Sequence, residues 1–319
     1  MAYKVVIPQD ITGAGKDYLR EKGYEVVVGS GKTDLGTLKA EVADADALLV
    51  RTAPYPAEVI DAAPRLKAIG RHGVGVDNID VAHCTKKGIW VTFAPESNAN
   101  SVAEHAMGLI FALAHNIVYM DGQTRAGNWE IRNKVKGSDL AGKVLGIVGV
   151  GRIGSLLGEK AAFGVKMKVI GYDPFIPPDK YPEYVAPVDS IEEVFKTSDY
   201  ISLHLPSNEQ TKGLVNLSLL SLMKRSACLV NCARGEVLAE EDLYKVLAEG
   251  AIKGAALDVF CQEPCPYDNP LFTLKNIIVS PHNAALTQES MNRMGLHAAM
   301  GIHSALSGEK PQWAVNMVE

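Results

Sequence analysis

The stretch that most limits what this chain can fold into is Lys143-Val-Leu-Gly-Ile-Val-Gly-Val-Gly-Arg-Ile-Gly154, an apolar, β-branched run that breaks into glycines at Gly149, Gly151 and Gly154. It dictates a strand, a tight turn and the opening of a helix. The first N–H groups of such a helix have no intrahelical partner and point, with the positive end of the helix dipole, at whatever lies above them. A phosphate suits that position. In the G-x-G-x-x-G pattern the first glycine permits the turn, the second admits a pyrophosphate to the backbone, and the third lets the helix lie close on the sheet.

The neighbouring sequence makes a common pattern specific. Residues 152–163 predict the helix, and residues 165–173 predict a second strand ending in Asp173, at the distance beyond Gly154 that a dinucleotide site requires. A carboxylate there would accept hydrogen bonds from the adenine ribose hydroxyls and repel a phosphate, so the implied cofactor is NAD rather than NADP.

The rest of the chain fits an α/β protein. Short apolar runs at 3–8, 24–28, 47–51 and 66–70 alternate with helical segments such as 13–22 and 33–42, and later strands are expected at 200–206, 227–232, 254–260 and 277–281. That alternation predicts parallel sheets covered on both faces. A length of 319 residues suggests two domains. Residues 101–116 form a helix apolar almost all the way round, which must be covered on most faces, with Ser101 as N-cap and Glu104 completing a capping box. A last helix is expected at 288–306, ended by Gly308 and Pro311.

Composition excludes several classes. The net charge of −5 gives no sign of a nucleic-acid or membrane surface. No apolar run is long enough to span a bilayer and the first residues lack a signal-peptide pattern, so a cytoplasmic protein is expected. Cys84, Cys228, Cys232, Cys261 and Cys265 contain no C-x-x-C pair and read as reduced thiols, and no metal site is expected.

Three expected strand ends carry reactive groups: Arg234, Glu263 and His282. Reduction of a 2-keto acid needs a hydride, a proton for the carbonyl oxygen and a cation for the carboxylate. NADH supplies the hydride. His282 can give and take the proton, Arg234 offers a planar fork to the carboxylate, and Glu263 would orient the histidine and favour its protonated form. Asp258 reads either as an acceptor for the nicotinamide carboxamide or as a buried turn carboxylate. The glycine-rich turn at 70–80 could hold a small anion such as a carboxylate.

The sequence resembles the D-isomer-specific 2-hydroxyacid dehydrogenase family, most of all its phosphoglycerate dehydrogenase-like branch. The resemblance is carried by Val50-Arg-Thr-Ala53, Gly70-Arg-His-Gly-Val-Gly-Val-Asp-Asn-Ile-Asp80, Gly146-Ile-Val-Gly-Val-Gly-Arg-Ile-Gly154, His204-Leu-Pro206, Asn231-Cys-Ala-Arg-Gly235, Ala256-Leu-Asp-Val-Phe260 with Glu263-Pro264, and Ser280-Pro-His282. It implies two doubly wound parallel-sheet domains, a Rossmann cofactor domain (101–286) inserted into a flavodoxin-like substrate domain (1–100 and 287–319), with the active site in the cleft between them. It implies the catalytic trio Arg234, Glu263 and His282. Cofactor contacts would come from Gly149, Gly151, Arg152, Ile153, Gly154, Asp173, His204, Pro206, Thr211, Cys232, Ala233, Asp258 and Ala284. Substrate contacts would come from Arg51, Thr52, Gly73, Val74 and Gly75, with the Val74 and Gly75 N–H groups on the substrate carboxylate. A homodimer built partly on the helix after Ser101 is also implied. The run after His282, Asn283-Ala-Ala-Leu-Thr287, departs from the family pattern, and the chain ends without the serine-sensing domain of many phosphoglycerate dehydrogenases, so feedback by that route is not expected.

The function expected is interconversion of a D-2-hydroxy acid and its 2-keto acid with NAD, 3-phosphoglycerate dehydrogenase-like. The alternatives are a glyoxylate/hydroxypyruvate reductase or a D-lactate-type enzyme. From a different class stands an NAD-sensing, corepressor-like interaction protein.

Overall fold

The structure is a computed structural model, and it describes residues 2–318. The strands are β1 (Lys4–Ile7), β2 (Glu25–Val28), β3 (Ala47–Val50), β4 (Ala68–Arg71), β5 (Trp90–Thr92), β6 (Val144–Val148), β7 (Lys168–Tyr172), β8 (Ala186–Pro187), β9 (Tyr200–Leu203), β10 (Cys228–Asn231), β11 (Gly254–Leu257) and β12 (Ile277–Val279). The α-helices are α1 (Gly13–Glu21), α2 (Leu35–Val42), α3 (Ala57–Asp61), α4 (Val81–Lys86), α5 (Ala99–Ala114), α6 (Ile117–Arg125), α7 (Ile131–Lys134), α8 (Arg152–Glu159), α9 (Ile191–Thr197), α10 (Leu217–Leu220), α11 (Glu240–Ala248) and α12 (Gln288–Leu306). The chain divides into two compact units, Met1–Ala99 with Ala285–Glu319, and Asn100–Ala284.

The first unit holds a parallel sheet in the order β2-β1-β3-β4-β5, the flavodoxin-like arrangement. Its central strands are buried on both faces, which is why β3 reads Ala-Leu-Leu-Val without alternation. One face is covered by Leu38, Val42, Tyr55, Val59 and Ile60, the other by Leu19, Ala298, Ile302 and Leu306. The return of α12 depends on small residues. A Cβ on Gly15 would lie 2.5 Å from the Gly295 carbonyl oxygen, and one on Gly70 would lie 2.7 Å from that of Ala298. The helix therefore meets α1 and β4 at backbone distance.

The second unit holds seven parallel strands in the order β12-β11-β10-β9-β6-β7-β8. Strand order reverses between β6 and β9, the point at which doubly wound sheets bind ligands, beyond the carboxyl ends of the strands. Phe195, Ile201, Leu203, Leu229, Leu243 and Leu257 fill its main core.

Two details correct the sequence reading. Helix α5 begins at Ala99, so Ser101 lies buried inside the first turn and is not the N-cap. Glu104 instead accepts from the Asn100 side-chain amide at 2.8 Å, with Lys160 Nζ at 3.9 Å, so no capping box forms. The apolar α5 is also not covered on every side, because Asn100, Glu104, Gly108 and Phe111 make an exposed stripe. Among the described residues no single helix is long and apolar enough to cross a membrane, although α5 and α6 together, bent by 59°, pass that test of length and composition.

Candidate active site

The glycine turn is built as its spacing requires. Gly149, at φ +93°, leaves β6 in a conformation that side chains rarely adopt, and a Cβ there would sit 2.5 Å from the His204 carbonyl oxygen. Gly151 is the N-cap of α8, and a Cβ built on it meets nothing within 4 Å. A Cβ on Gly154 would strike the Gly149 carbonyl, so this glycine sets how closely helix and turn pack. Arg152, Ile153 and Gly154 thus open the helix directly after the bare position of Gly151, and a helix N-terminus of this kind suits an anion.

Asp173 follows β7 directly. Its carboxylate accepts from Val150 N at 3.0 Å and from Phe175 N at 3.0 Å, which seats it on the edge of the glycine turn. The Tyr181 hydroxyl accepts from Asp173 N at 2.7 Å and lies 3.3 Å from Asp173 O, fixing the main chain of that residue. Nothing in the spacing of Tyr181 announced this. At the neighbouring strand end, His204 N donates to Val148 O at 2.8 Å, and Thr211 Oγ1 donates to Pro206 O at 2.6 Å. Burial lowers the His204 pKa to about 4, so its ring is neutral, and Nε2 lies 2.9 Å from Ser202 Oγ.

The groups singled out from three strand ends meet in this unit. After β10, the buried Asn231 side chain accepts from Ala233 N at 3.0 Å and donates to Arg234 O at 2.9 Å, clasping the turn through Cys232 and Ala233. Gly235 then presses on the next loop so tightly that a Cβ would fall inside the Phe260–Cys261 peptide. After β11, Glu263 accepts from Phe260 N at 3.0 Å through Oε1 and meets His282 Nδ1 at 2.6 Å through Oε2. After β12, His282 sits at φ +51°. Arg234, Gly235, Glu236, Val259, Phe260, Cys261, Glu263 and His282 line a cavity of about 190 Å³. Burial pushes the Glu263 pKa up, yet the hydrogen bonds from His282 and Phe260 N, with His282 and Arg234 nearby, outweigh it and hold the carboxyl below its usual range.

Asp258 is fully buried. It accepts from Ser280 Oγ at 2.6 Å, Asn283 N at 3.0 Å and Ala284 N at 2.9 Å, so the turn-carboxylate reading describes its present partners. All five cysteines are unpaired. Burial raises the Cys84 thiol to about 12 and Cys228 to about 11. It also raises Cys261 to about 12, with Glu240 beside it, so this cavity-lining thiol stays protonated.

The remaining residues lie in the first unit, at the carboxyl ends of β3 and β4. Arg51 Nη1 donates to Asp10 O at 3.1 Å, and Thr52 N donates to Gln9 Oε1 at 3.1 Å. Gly73, at φ +145°, accepts through its carbonyl from Ala94 N at 2.9 Å, which shapes the turn through Val74 and Gly75. His72, overlooked in the sequence, is buried there with Nε2 at 3.2 Å from Met291 O; burial, with Arg51 and Arg71 nearby, lowers its pKa to about 4.

Comparison with known proteins identifies relatives along most of the chain. A family model described as the NAD-binding domain of the D-isomer-specific 2-hydroxyacid dehydrogenases matches residues 107–284. The D-3-phosphoglycerate dehydrogenase of Methanocaldococcus jannaschii is 44 % identical over 317 residues, covering 98 % of this chain and 59 % of that protein. The chain therefore spans only part of the length of that relative. The glyoxylate reductase of Korarchaeum cryptofilum is 40 % identical over 279 residues, covering 86 % of this chain and 84 % of the other. Among solved structures, the TT0316 protein of Thermus thermophilus matches with a TM-score of 0.91 at 33 % identity, covering 98 % of this chain and 100 % of that one.

Proposed function

The chain belongs to the D-isomer-specific 2-hydroxyacid dehydrogenases, and on that premise we propose that it interconverts a D-2-hydroxy acid and its 2-keto acid with NAD, as a 3-phosphoglycerate dehydrogenase-like enzyme. The observation that carries the proposal is the 2.6 Å contact between His282 Nδ1 and Glu263 Oε2 in a cavity that Arg234 also lines. A nicotinamide bound there would supply or receive the hydride. Arg234 holds the substrate carboxylate and draws electron density from the carbonyl. His282, with Nδ1 turned to Glu263, presents Nε2 to the carbonyl oxygen; it gives its proton in reduction and takes it back in oxidation. Glu263 fixes the tautomer and stabilises the charged ring without itself transferring the proton.

For the first unit the proposed roles are a carboxylate held by the N–H groups of Val74 and Gly75, and a further anionic group of the substrate held by Arg51 with Thr52. A glyoxylate or hydroxypyruvate reductase is the second reading, favoured by the match to a relative named glyoxylate reductase. Turnover of 3-phosphoglycerate, D-glycerate, D-lactate and glyoxylate with NAD(H) and NADP(H) decides between them. Dominant activity on 3-phosphoglycerate that Arg51→Ala abolishes supports the first reading, and dominant reduction of glyoxylate supports the second. No turnover of any of the four would favour an interaction protein over an enzyme.

The cofactor preference is assigned to Asp173. In Asp173→Ala the carboxylate that would bond the ribose and repel a 2′-phosphate is gone, so the ratio of kcat/KM for NADH to that for NADPH should fall by about tenfold or more, the loss of one to two charged hydrogen bonds. An unchanged ratio would show that the ribose is read elsewhere. A homodimer is proposed through the segment beginning with α5, where Phe111, Ile117, Val118 and Trp129 expose apolar surface.

A further inference from the structure

A buried carboxylate must be satisfied by donors, and the donors that Asp258 has gathered come from the turn that carries His282. Asp258 O accepts from His282 N at 2.8 Å, Oδ1 from Asn283 N at 3.0 Å, and Oδ2 from Ala284 N at 2.9 Å. Three successive residues therefore hang from one aspartate. This suspension accounts for a non-glycine residue, His282, being held at φ +51°, a conformation that persists only where its surroundings over-determine it.

The aspartate is itself held. The Ser280 hydroxyl donates to Asp258 Oδ1 at 2.6 Å, which uses its single proton. Ser280 Oγ can then only accept from its other neighbour, His105 Nε2 at 3.2 Å. His105 Nε2 must accordingly carry a hydrogen, and it also lies 3.7 Å from Asp258 Oδ1. His105 belongs to α5, so a helix distant in sequence anchors the far end of the chain of bonds.

We propose that His105, through the Ser280 hydroxyl, positions the Asp258 carboxylate from which Asn283 and Ala284 hang, and thereby sets the aim of the adjacent His282, whose own N–H is held by the Asp258 main-chain carbonyl. Both are positioning residues, and the inference rests on the reading of His282 as the proton donor.

His105→Phe keeps the bulk of the ring and removes the donor. It should lower kcat for keto-acid reduction by about 10- to 100-fold, the scale of a misplaced reacting group, with a smaller change in KM. His105→Gln, whose amide can donate to Ser280, should restore kcat to within about threefold of wild type. Ser280→Ala should match His105→Phe, and the double variant should lose no more than either alone, because the two act in series. A wild-type kcat in His105→Phe, failure of glutamine to restore it, or additive losses in the double variant would overturn the inference. Thermal midpoints monitor folding, and if His105→Phe does not fold, Ser280→Ala against Ser280→Thr decides, with threonine expected to restore the rate. His282→Gln assayed alongside separates the two failures: an intact rate there removes the reading of the site, whereas a lost rate there with unaffected His105 and Ser280 variants removes only this inference.

Discussion

Replacing His282 by glutamine should lower the rate of keto-acid reduction by about 10²- to 10⁴-fold, the usual contribution of a positioned proton donor. Glutamine can still reach towards Glu263, so the loop is not left with an unpaired carboxylate, but an amide cannot surrender a proton to an alkoxide. NADH binding should remain near wild type, since the groups proposed to hold it, the glycine turn and Asp173, are unchanged. Stopped-flow measurement of hydride transfer, with NADH affinity from fluorescence titration, separates the two effects. A wild-type transfer rate would show that the proton comes from elsewhere.

The same pair fixes the direction of the pH dependence. Glu263 has its pKa depressed on folding, so the stability it contributes is present above its ordinary pKa and is lost as pH falls through the folded value. Across the neutral range it is a carboxylate accepting from His282. On the proposed role of His282, reduction should need the protonated ring and decline on the alkaline side, and oxidation should need the neutral ring and decline on the acid side. Superimposable profiles in the two directions would count against the coupling.

The second large effect is expected from Gly235→Ala. The added methyl cannot be accommodated by a side-chain shift, because what it meets is the peptide between Phe260 and Cys261. Either the Arg234 turn or the loop bearing Glu263 must move. Overpacking of this kind costs about 1–3 kcal/mol, which thermal unfolding will show as a lowered midpoint. Displacement of about 1 Å at the site costs about 100-fold in rate. The decisive comparison is with Gly164→Ala, where an added Cβ meets nothing within 4 Å, so most of the activity should be retained. Unchanged stability and rate in Gly235→Ala would mean that the two loops are not locked together.

Much of this architecture is legible in the amino-acid order because parallel strands buried on both faces write themselves as unbroken apolar runs, as in β3 and β9, and because each is followed by residues unsuited to a strand. The glycine turn is legible for the same reason, since each glycine answers a local steric demand. Strands β5 and β8 escape notice because three and two residues carry no periodicity. The start of α5 is misplaced because Ala99 and Asn100 have no feature that distinguishes a first helical turn from the loop before it. Within the site, Arg234, Glu263 and His282 stand out by chemistry, each at a strand end. Their supports do not. Asn231, Ser280, His105 and Tyr181 are common polar residues whose partners are far away in sequence or point back to the main chain, and only tertiary structure reveals which donor each one meets.

Gly151 has a different kind of consequence. Its backbone is at φ −68°, a value open to any residue, and no atom of the protein stands where its side chain would be. Gly149 and Gly154 are demanded by the chain itself, whereas folding places no demand on Gly151. On the proposed reading the reason for keeping this position bare lies outside the polypeptide, and the missing side chain leaves room for the dinucleotide.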